Sequence, residues 1–178
     1  MKTMLHSLSA VMVAAVWTGV IFGCGQKASE VVGEKVAEKA IEAGAAKEGV
    51  KAKVDISGDS VAIQTTEGSV TIGEKAEIPE DFPKDIPLYP GQTLVMVSSA
   101  AENQTFTVQA KTGDATEKVA DHYKKEAPAN GWIEETSVTQ SGEQPMQLLV
   151  YKKDSRTLNV TVTKDTEGTM ISLAATAQ

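Results

Sequence analysis

The chain has 178 residues, a formal net charge of −7 and only 4% aromatic residues. An acidic chain repels the phosphate backbone of nucleic acids, because protein affinity for that backbone comes from Lys and Arg that release counterions, so we expect no nucleic-acid partner. The single cysteine excludes a disulfide within one copy. Stability must therefore come from a core built mainly of Val, Ile, Leu and Ala.

The amino-terminal residues have the pattern of an export signal. After Lys2, residues 8–22 form an uncharged apolar run, which has the length of a signal-peptide core and is shorter than the roughly 20 residues of a membrane span. The run leads into Ile-Phe-Gly-Cys at 21–24, which resembles a bacterial lipobox. The resemblance implies cleavage between Gly23 and Cys24 and lipidation of Cys24. The alternative is an uncleaved membrane helix.

Lipidation of Cys24 would make the rest of the chain a tethered head in the cell envelope. Each buried CH₂ group contributes about 0.8 kcal/mol, and two or more acyl chains hold a protein stably on a bilayer. Gly25 stands where an aspartate would, by resemblance to lipoproteins of two-membrane bacteria, favour the inner membrane. The expected location is therefore the outer membrane if the cell has two membranes.

The segment after the cysteine is rich in Ala, Glu and Lys, which favour helix over residues 28–48. Its sequence repeats every four residues, so the apolar positions drift around the helix. Glu34, Glu38 and Glu42 also fall at i,i+4 spacing, where like charges repel. These features predict a marginal, largely solvated helix that acts as a stalk, and the alternative is a helix that binds a partner or a second copy.

The next two segments are a predicted β-meander and a proline-rich strap. Apolar residues alternate with polar ones from Val50 to Ile72, and turn residues at 57–59 and 67–68 divide the pattern into three strands. Residues 78–91 then contain four of the six prolines, which exclude helix and central strand. The strap also carries Phe82, Ile86, Leu88 and Tyr89, so we expect it to lie against the following domain.

The C-terminal block reads as two strands, one helix and four strands. Asp114 and Glu117 have the spacing of a capping box, and Gly131 is placed to terminate the helix after about Asn130. The predicted buried stripe of the helix is Ala115, Val119, Tyr123 and Ala127. The predicted strands are 94–98, 106–110, 132–139, 146–152, 157–163 and 169–174.

The fold predicted from these elements is α+β. The last strands are joined by short loops, which favour antiparallel neighbours. One helix covers one face of a sheet, so we expect an antiparallel sheet in ββαββββ order with one packed helix, its other face solvated or meeting the meander. The predicted segments are signal peptide 1–23, lipidated N-terminus and stalk 24–49, meander 50–75, strap 76–91 and α+β domain 92–178.

The order of motifs resembles a group of uncharacterised bacterial lipoproteins. These motifs are AEKAIEAG, VDISGDSVAIQTTEGSVTIG, IPEDFPKDIPLYPG, HYKKE and NGW. The resemblance covers nearly all of the chain after Cys24, and the strap followed by a helix that ends in Gly-Trp is the most recognisable part. The group carries no agreed activity, so the resemblance implies envelope anchoring without implying a reaction.

The residues that metal sites and catalysis need are sparse. Beyond the signal peptide the chain has one histidine, His122, and no thiol except Cys24, so a His and Cys zinc site cannot form within one copy. We expect no metal and no cofactor. No Gly-x-Ser-x-Gly, Ser-x-x-Lys or Gly-rich phosphate loop is present. Five acids could suggest a calcium site, but they lack the spacing of a calcium-binding loop, so we expect them to be solvated: Asp55, Asp59, Glu80, Asp81 and Asp85.

Three aromatic residues are candidates for a binding surface: Tyr89, Tyr123 and Trp132. Aromatic rings offer flat apolar area with a polar tip, but Trp132 directly follows the helix-ending glycine and is also placed to fill the contact between helix and sheet. The leading hypothesis is a non-catalytic, lipid-anchored envelope protein that binds another envelope protein. The alternatives are an envelope hydrolase that uses dispersed carboxylates and a small-ligand module with a pocket at Tyr123 and Trp132.

Overall fold

The computed structural model describes residues 27–47, 49–102 and 104–176. The predicted signal peptide, Gly23 and Cys24 lie outside these residues. The chain divides into two compact units after Gly33, and the second unit, Glu34–Gln178, contains the β-sheet. Neither helix of the described residues has the length and hydropathy that a membrane span requires.

The described residues form two helices and nine strands. Helix α1 spans Lys27–Lys47 and helix α2 spans Thr116–Ala129. The strands are β1 Ala52–Ser57, β2 Ser60–Thr65, β3 Gly68–Ile72, β4 Thr93–Ala100, β5 Thr105–Thr112, β6 Ile133–Gln140, β7 Met146–Lys153, β8 Arg156–Asp165 and β9 Gly168–Thr176.

All nine strands belong to one antiparallel sheet with the order β1-β2-β3-β4-β5-β9-β8-β7-β6. The predicted α+β class with one packed helix is confirmed. The meander pairs with the C-terminal block through β3 and β4, where Gly68 lies opposite Ala100. The meander therefore extends the sheet sideways and does not pack on its free face.

One face of the sheet forms the core with α2 and the strap. Inward side chains alternate along the strands, as expected for a half-buried sheet. The helix contributes Val119, Ala120, Tyr123 and Ala127. The sheet contributes Val97, Phe106, Val108, Leu149, Tyr151, Leu158, Val160, Val162, Ile171, Leu173 and Ala175.

The strap lies against this core, as predicted. Phe82, Ile86 and Tyr89 are each at most 7% exposed, and the Phe82 ring meets Phe106 edge to face with 5.4 Å between centroids. The strap is not uniformly extended, because the Phe82 and Ile86 amides donate to the carbonyls three residues earlier, at 3.1 Å each. These turns place an apolar side chain toward the core at intervals of three or four residues.

Of the two predictions for the ends of α2, the one for its start is wrong and the one for its end is confirmed. The predicted capping box is wrong, because the N-cap residue is Ala115 and no side chain caps the helix. Ala115 is also exposed, and Thr116 and Ala120 are buried on the core side. At the other end Gly131 adopts a φ of +84°, which suits glycine, and confirms the predicted terminator.

The C-terminal turn of α2 is a Schellman motif. The Gly131 amide donates to the Pro128 carbonyl at 3.0 Å, and the Trp132 amide donates to the Ala127 carbonyl at 3.0 Å. The last turn of the helix accommodates Pro128. The motif turns the chain so that Trp132 enters the core and β6 begins at the next residue.

Helix α1 is present as predicted, but its glutamates are bonded rather than free. From Glu34 onward it lies beside β1, and the amides of Val54, Ile56 and Gly58 donate to glutamate carboxylates on the helix. Other side chains of α1 remain exposed, including Val36 at 63%. The sequence pattern did not predict these contacts.

Candidate functional site

The three aromatic candidates, Tyr89, Tyr123 and Trp132, all belong to the core beneath α2. Their exposed fractions are 5%, 0% and 2%, and they belong to one cluster of buried residues. Trp132 occupies the position expected of a residue that fills the contact between helix and sheet. A ligand could reach these side chains only if the strap or α2 moved.

The strap is fixed to the sheet by a polar cluster that we call the strap clamp, which consists of Asp85, Trp132, Lys153 and Arg156. The Trp132 Nε1 donates to the Asp85 carbonyl at 2.8 Å. Lys153 Nζ lies 2.6 Å from Asp85 Oδ2, and Arg156 Nη1 donates to Oδ1 at 3.0 Å while its Nη2 contacts Oδ2. The Arg156 guanidinium also stacks 5.0 Å from the Trp132 ring centre.

The charges of the strap clamp reinforce each other because little water reaches them. The side chains of Arg156, Asp85 and Lys153 are 14%, 25% and 27% exposed. Hydrogen bonds from Arg156 hold the pKa of Asp85 at about 2, because they and the Lys153 contact outweigh the effect of partial burial. The same bonds raise the pKa of Arg156. Asp85 is thus the centre of an ion-pair network and not the solvated acid that the sequence predicted.

A second polar contact joins the strap to the start of α2. The Tyr89 hydroxyl donates to Asp114 Oδ2 at 2.6 Å, and Lys118 Nζ donates to Asp114 Oδ1 at 2.8 Å. The Lys118 contact, assisted by Tyr89, lowers the pKa of Asp114. Burial, followed by the bond to Asp114, raises the pKa of the Tyr89 hydroxyl. The carboxylate expected to cap the helix therefore binds the strap instead.

His122 packs between two tyrosines. Its ring meets Tyr89 and Tyr123 edge to face at centroid distances of 5.0 and 5.4 Å. Its Nε2 lies 3.3 Å from the Leu88 carbonyl oxygen. These contacts give His122 a structural role between α2 and the strap.

Two buried hydroxyls, those of Tyr123 and Tyr151, have no hydrogen-bond partner among the described residues. Both residues are 0% exposed. Burial raises the pKa of Tyr151 to about 12 and raises that of Tyr123 as well. Both hydroxyls stay neutral at ordinary pH, and leaving them unpaired costs stability.

We expect Tyr151→Phe to leave the free energy of unfolding unchanged or to raise it by about 1 kcal/mol, because the change removes a buried, unpaired hydroxyl and keeps the ring. Tyr89→Phe is the matched control and should lower it by about 1.5 kcal/mol, because that hydroxyl bonds to a carboxylate. Urea unfolding of both variants measures this. A loss of stability in Tyr151→Phe as large as in Tyr89→Phe would show that the Tyr151 hydroxyl has a partner.

Two shallow depressions lie at the surface of the sheet. One has a volume of about 150 Å³ and the other about 180 Å³. The first is lined by Thr93, Lys111, Thr112, Gly113, Asp165, Glu167, Gly168 and Thr169. The second is lined by Asp81, Ser99, Ala100, Ala101, Gln104 and Phe106. Neither includes the three aromatic candidates.

The first depression contains two acids, which a hydrolase would need as a pair. Lys111 Nζ lies 2.8 Å from Asp165 Oδ2, and this contact lowers the pKa of Asp165. Lys111 thus holds Asp165 as an ionised partner and does not leave it as an acid that can donate a proton. In residues 27–47, 49–102 and 104–176, no group of three or more His, Cys, Asp and Glu converges as a metal site would require.

The face of the sheet opposite α2 is accessible along most of its strands, and we call it the open face. Its residues from β2 to β5 are Val61, Ile63, Val70, Ile72, Met96, Ser98, Thr107 and Gln109. From β7 to β9 they are Leu148, Val150, Asn159, Thr161, Thr163, Ser172 and Ala174. The meander half is apolar and the centre is rich in hydroxyl and amide groups.

No second layer of the described residues packs on the open face from β2 to β9. The side chains named above are partly accessible, and Ile72 is 37% exposed, whereas Val54 of β1, opposite Ile63 on the same face, is 5% exposed. In the described part of the chain, α2 contacts β6 to β9, and its buried side chains join the core on the other face. Alternation along the sequence puts Asn159, Thr161 and Thr163 on one side of β8, but only the strand order shows that this side is continuous with the apolar side of the meander.

Comparison with known proteins gives one similarity. A family model described as START domain-like matches residues 94–168. The match runs from within β4 to the first residue of β9, so it includes α2 but neither the strap nor the meander. No curated protein and no solved structure matches the chain.

Proposed function

We propose that this chain is a lipid-anchored lipoprotein of the cell envelope whose sheet is a non-catalytic module that binds another envelope protein. The open face carries the proposal. It offers an apolar half next to a hydroxyl-rich half, and contiguous accessible apolar surface commonly marks an interaction site. The strap is not free for this role, because Asp85 and the buried side chains of Phe82, Ile86 and Tyr89 hold it against the core.

The anchor part of the proposal rests on the lipobox-like residues 21–24 and the apolar run before them. Acyl chains on Cys24 would hold the chain on a membrane without a spanning helix. Gly25 supports an outer-membrane location in a cell with two membranes. Helix α1, Lys27–Lys47, follows the anchor in the sequence and precedes the first strand of the sheet.

The variant Cys24→Ala is expected to lose all fatty-acid labelling, because no other thiol is present to carry the lipid. Metabolic labelling with a fatty acid measures this effect. Gln26→Ala is the control and should be labelled like the wild type. Continued labelling of Cys24→Ala would show that Cys24 is not the lipidated residue.

The binding part of the proposal is tested by photo-cross-linking in intact cells. A photoreactive residue at Thr161 or Ser172, on the open face, is expected to give adducts with one recurrent envelope protein. The same residue at Asp121, on the exposed side of α2, should give none. Only monomer from every position, under every condition, would count against an interaction module.

A second candidate is a small-ligand binding module, and the START domain-like match over residues 94–168 supports it. The site would lie between α2 and the sheet, at Tyr123 and Trp132. Native mass spectrometry of the chain extracted from cells would show a recurrent added mass beyond that of the acyl groups. Its absence from gently extracted protein would favour the open face as the binding surface.

A further inference from the structure

Among the described strands, β1 lies at one edge of the sheet and pairs with β2 alone. Along an edge strand every second residue points its amide and carbonyl away from the sheet, and such groups are a template for another strand. At the other edge, β6 protects itself, because it carries Glu134 and Glu135 and an irregular register at that point. The register of β1 with β2 is regular from Ala52 to Ser57, so β1 has no bulge of its own.

Helix α1 supplies the protection that β1 lacks. Glu42 Oε1 accepts the Val54 amide at 3.0 Å and Glu38 Oε1 accepts the Ile56 amide at 2.8 Å. Glu34 Oε1 accepts the amide of Gly58, the residue after the strand, at 3.1 Å. We call these three residues the glutamate ladder. It occupies the outward amides of Val54, Ile56 and Gly58.

The spacing of the glutamate ladder follows from the geometry of a helix beside a strand. Four helical residues rise about 6.0 Å, and two residues of an antiparallel strand rise about 6.8 Å. A carboxylate every four residues therefore meets an outward amide every two residues, with helix and strand running in opposite directions. This match explains why the segment repeats every four residues and accepts glutamates that repel each other.

The attachment of this cover depends on few other contacts. Val36 and Ile41 of α1 are 63% and 42% exposed, so the helix buries little apolar surface. The carboxylate bonds at Val54 and Ile56 are only partly buried and the bond at Gly58 is exposed. A cover held this way can be lifted without disturbing the core on the other face of the sheet.

We propose that α1 is a releasable cover and that the strand it excludes is β1 of a second copy. Val54 points its amide outward, so two β1 strands can pair about Val54 in a symmetric, antiparallel arrangement. That register places Lys53 opposite Asp55 of the second copy, and Asp55 opposite its Lys53. It also places Ala52 opposite Ile56, on the face where Val54 lies.

The pairing of Lys53 with Asp55 across the two strands therefore favours β1 of a second copy as the strand that binds this edge. Opposite charges directly across two strands favour pairing, and like charges oppose it. Asp55 is available, because its contact with Lys75 is 4.0 Å long and both side chains are more than half exposed. Such contacts contribute little. The proposal concerns the sheet edge and stands whether or not Cys24 carries lipid.

The first test removes the cover from the full chain, purified in detergent. The variant Glu34→Ala/Glu38→Ala/Glu42→Ala keeps good helix formers in α1. We expect the Val54 and Ile56 amides to exchange hydrogen at least tenfold faster in dilute protein, and the protein mass to double in sedimentation at higher concentration. The control Lys35→Ala/Lys39→Ala changes the same helix away from β1 and should stay monomeric with slow exchange.

The second test checks the register. Adding Lys53→Glu to the uncovered variant should abolish the dimer, because it sets two acids opposite each other, and adding Asp55→Lys as well should restore it. Glutamine at the three ladder positions keeps an oxygen acceptor and should preserve the monomer. Unchanged exchange in the alanine variant, a monomer at every concentration, or a dimer indifferent to Lys53→Glu would each overturn the proposal.

Discussion

Trp132→Ala is expected to lower the free energy of unfolding by about 3 to 5 kcal/mol, the usual range for removing a large buried aromatic side chain. Trp132 is 2% exposed. Its loss would open a cavity where α2, the strap and the sheet meet. It would also remove the donor to the Asp85 carbonyl and the ring under the Arg156 guanidinium.

Equilibrium unfolding in urea measures this effect, and the next residue provides the control. Ile133 is 71% exposed, so Ile133→Ala should change the free energy of unfolding by no more than about 0.5 kcal/mol. A Trp132→Ala protein that melted like the wild type but lost a bound molecule would show that Trp132 serves a ligand site.

The strand pattern, the buried strap and the helix terminator were predictable because each depends on neighbours in the sequence. Alternation places Leu158, Val160 and Val162 on one face whatever the strand order, and Gly131 ends α2 through bonds within its last turns. Turn residues likewise locate the three meander strands. A prediction from neighbouring residues fails where a group distant in the sequence binds the side chain instead. Asp114 was expected to cap α2, but it accepts a hydrogen bond from the Tyr89 hydroxyl.

The candidate site was predictable in composition but not in arrangement. Asp85 binds Lys153 and Arg156 from 68 and 71 residues away, and no local spacing marks such a pair. The open face requires β9 to lie between β5 and β8, a long-range pairing. The glutamate ladder did leave a signal, a four-residue repeat that is unfavourable in an isolated helix. Its reason becomes visible only when β1 lies beside it.

Asp85→Ala is the second large effect that we expect, a fall of about 2 to 3 kcal/mol in the free energy of unfolding. Removing one partner of a largely buried ion pair typically costs 3 to 5 kcal/mol, and water at the quarter-exposed Asp85 side chain reduces that cost. The change leaves Lys153 and Arg156 without their acceptor and loosens the strap. Asp81→Ala, at an exposed acid of the same strap, is the control and should be nearly neutral.

The effect of Asp85 should also depend on pH in one direction. Its pKa is about 2 in the folded protein, below the ordinary value of 3.8, so its ionised form favours folding. That contribution, about 1 to 2 kcal/mol after allowing for solvent, is complete above pH 3.8 and is lost as the pH falls toward 2. The difference in stability between the wild type and Asp85→Asn should therefore shrink over this interval. A difference that stayed constant from pH 7 to pH 2 would mean that Asp85 is not held ionised by Arg156 and Lys153.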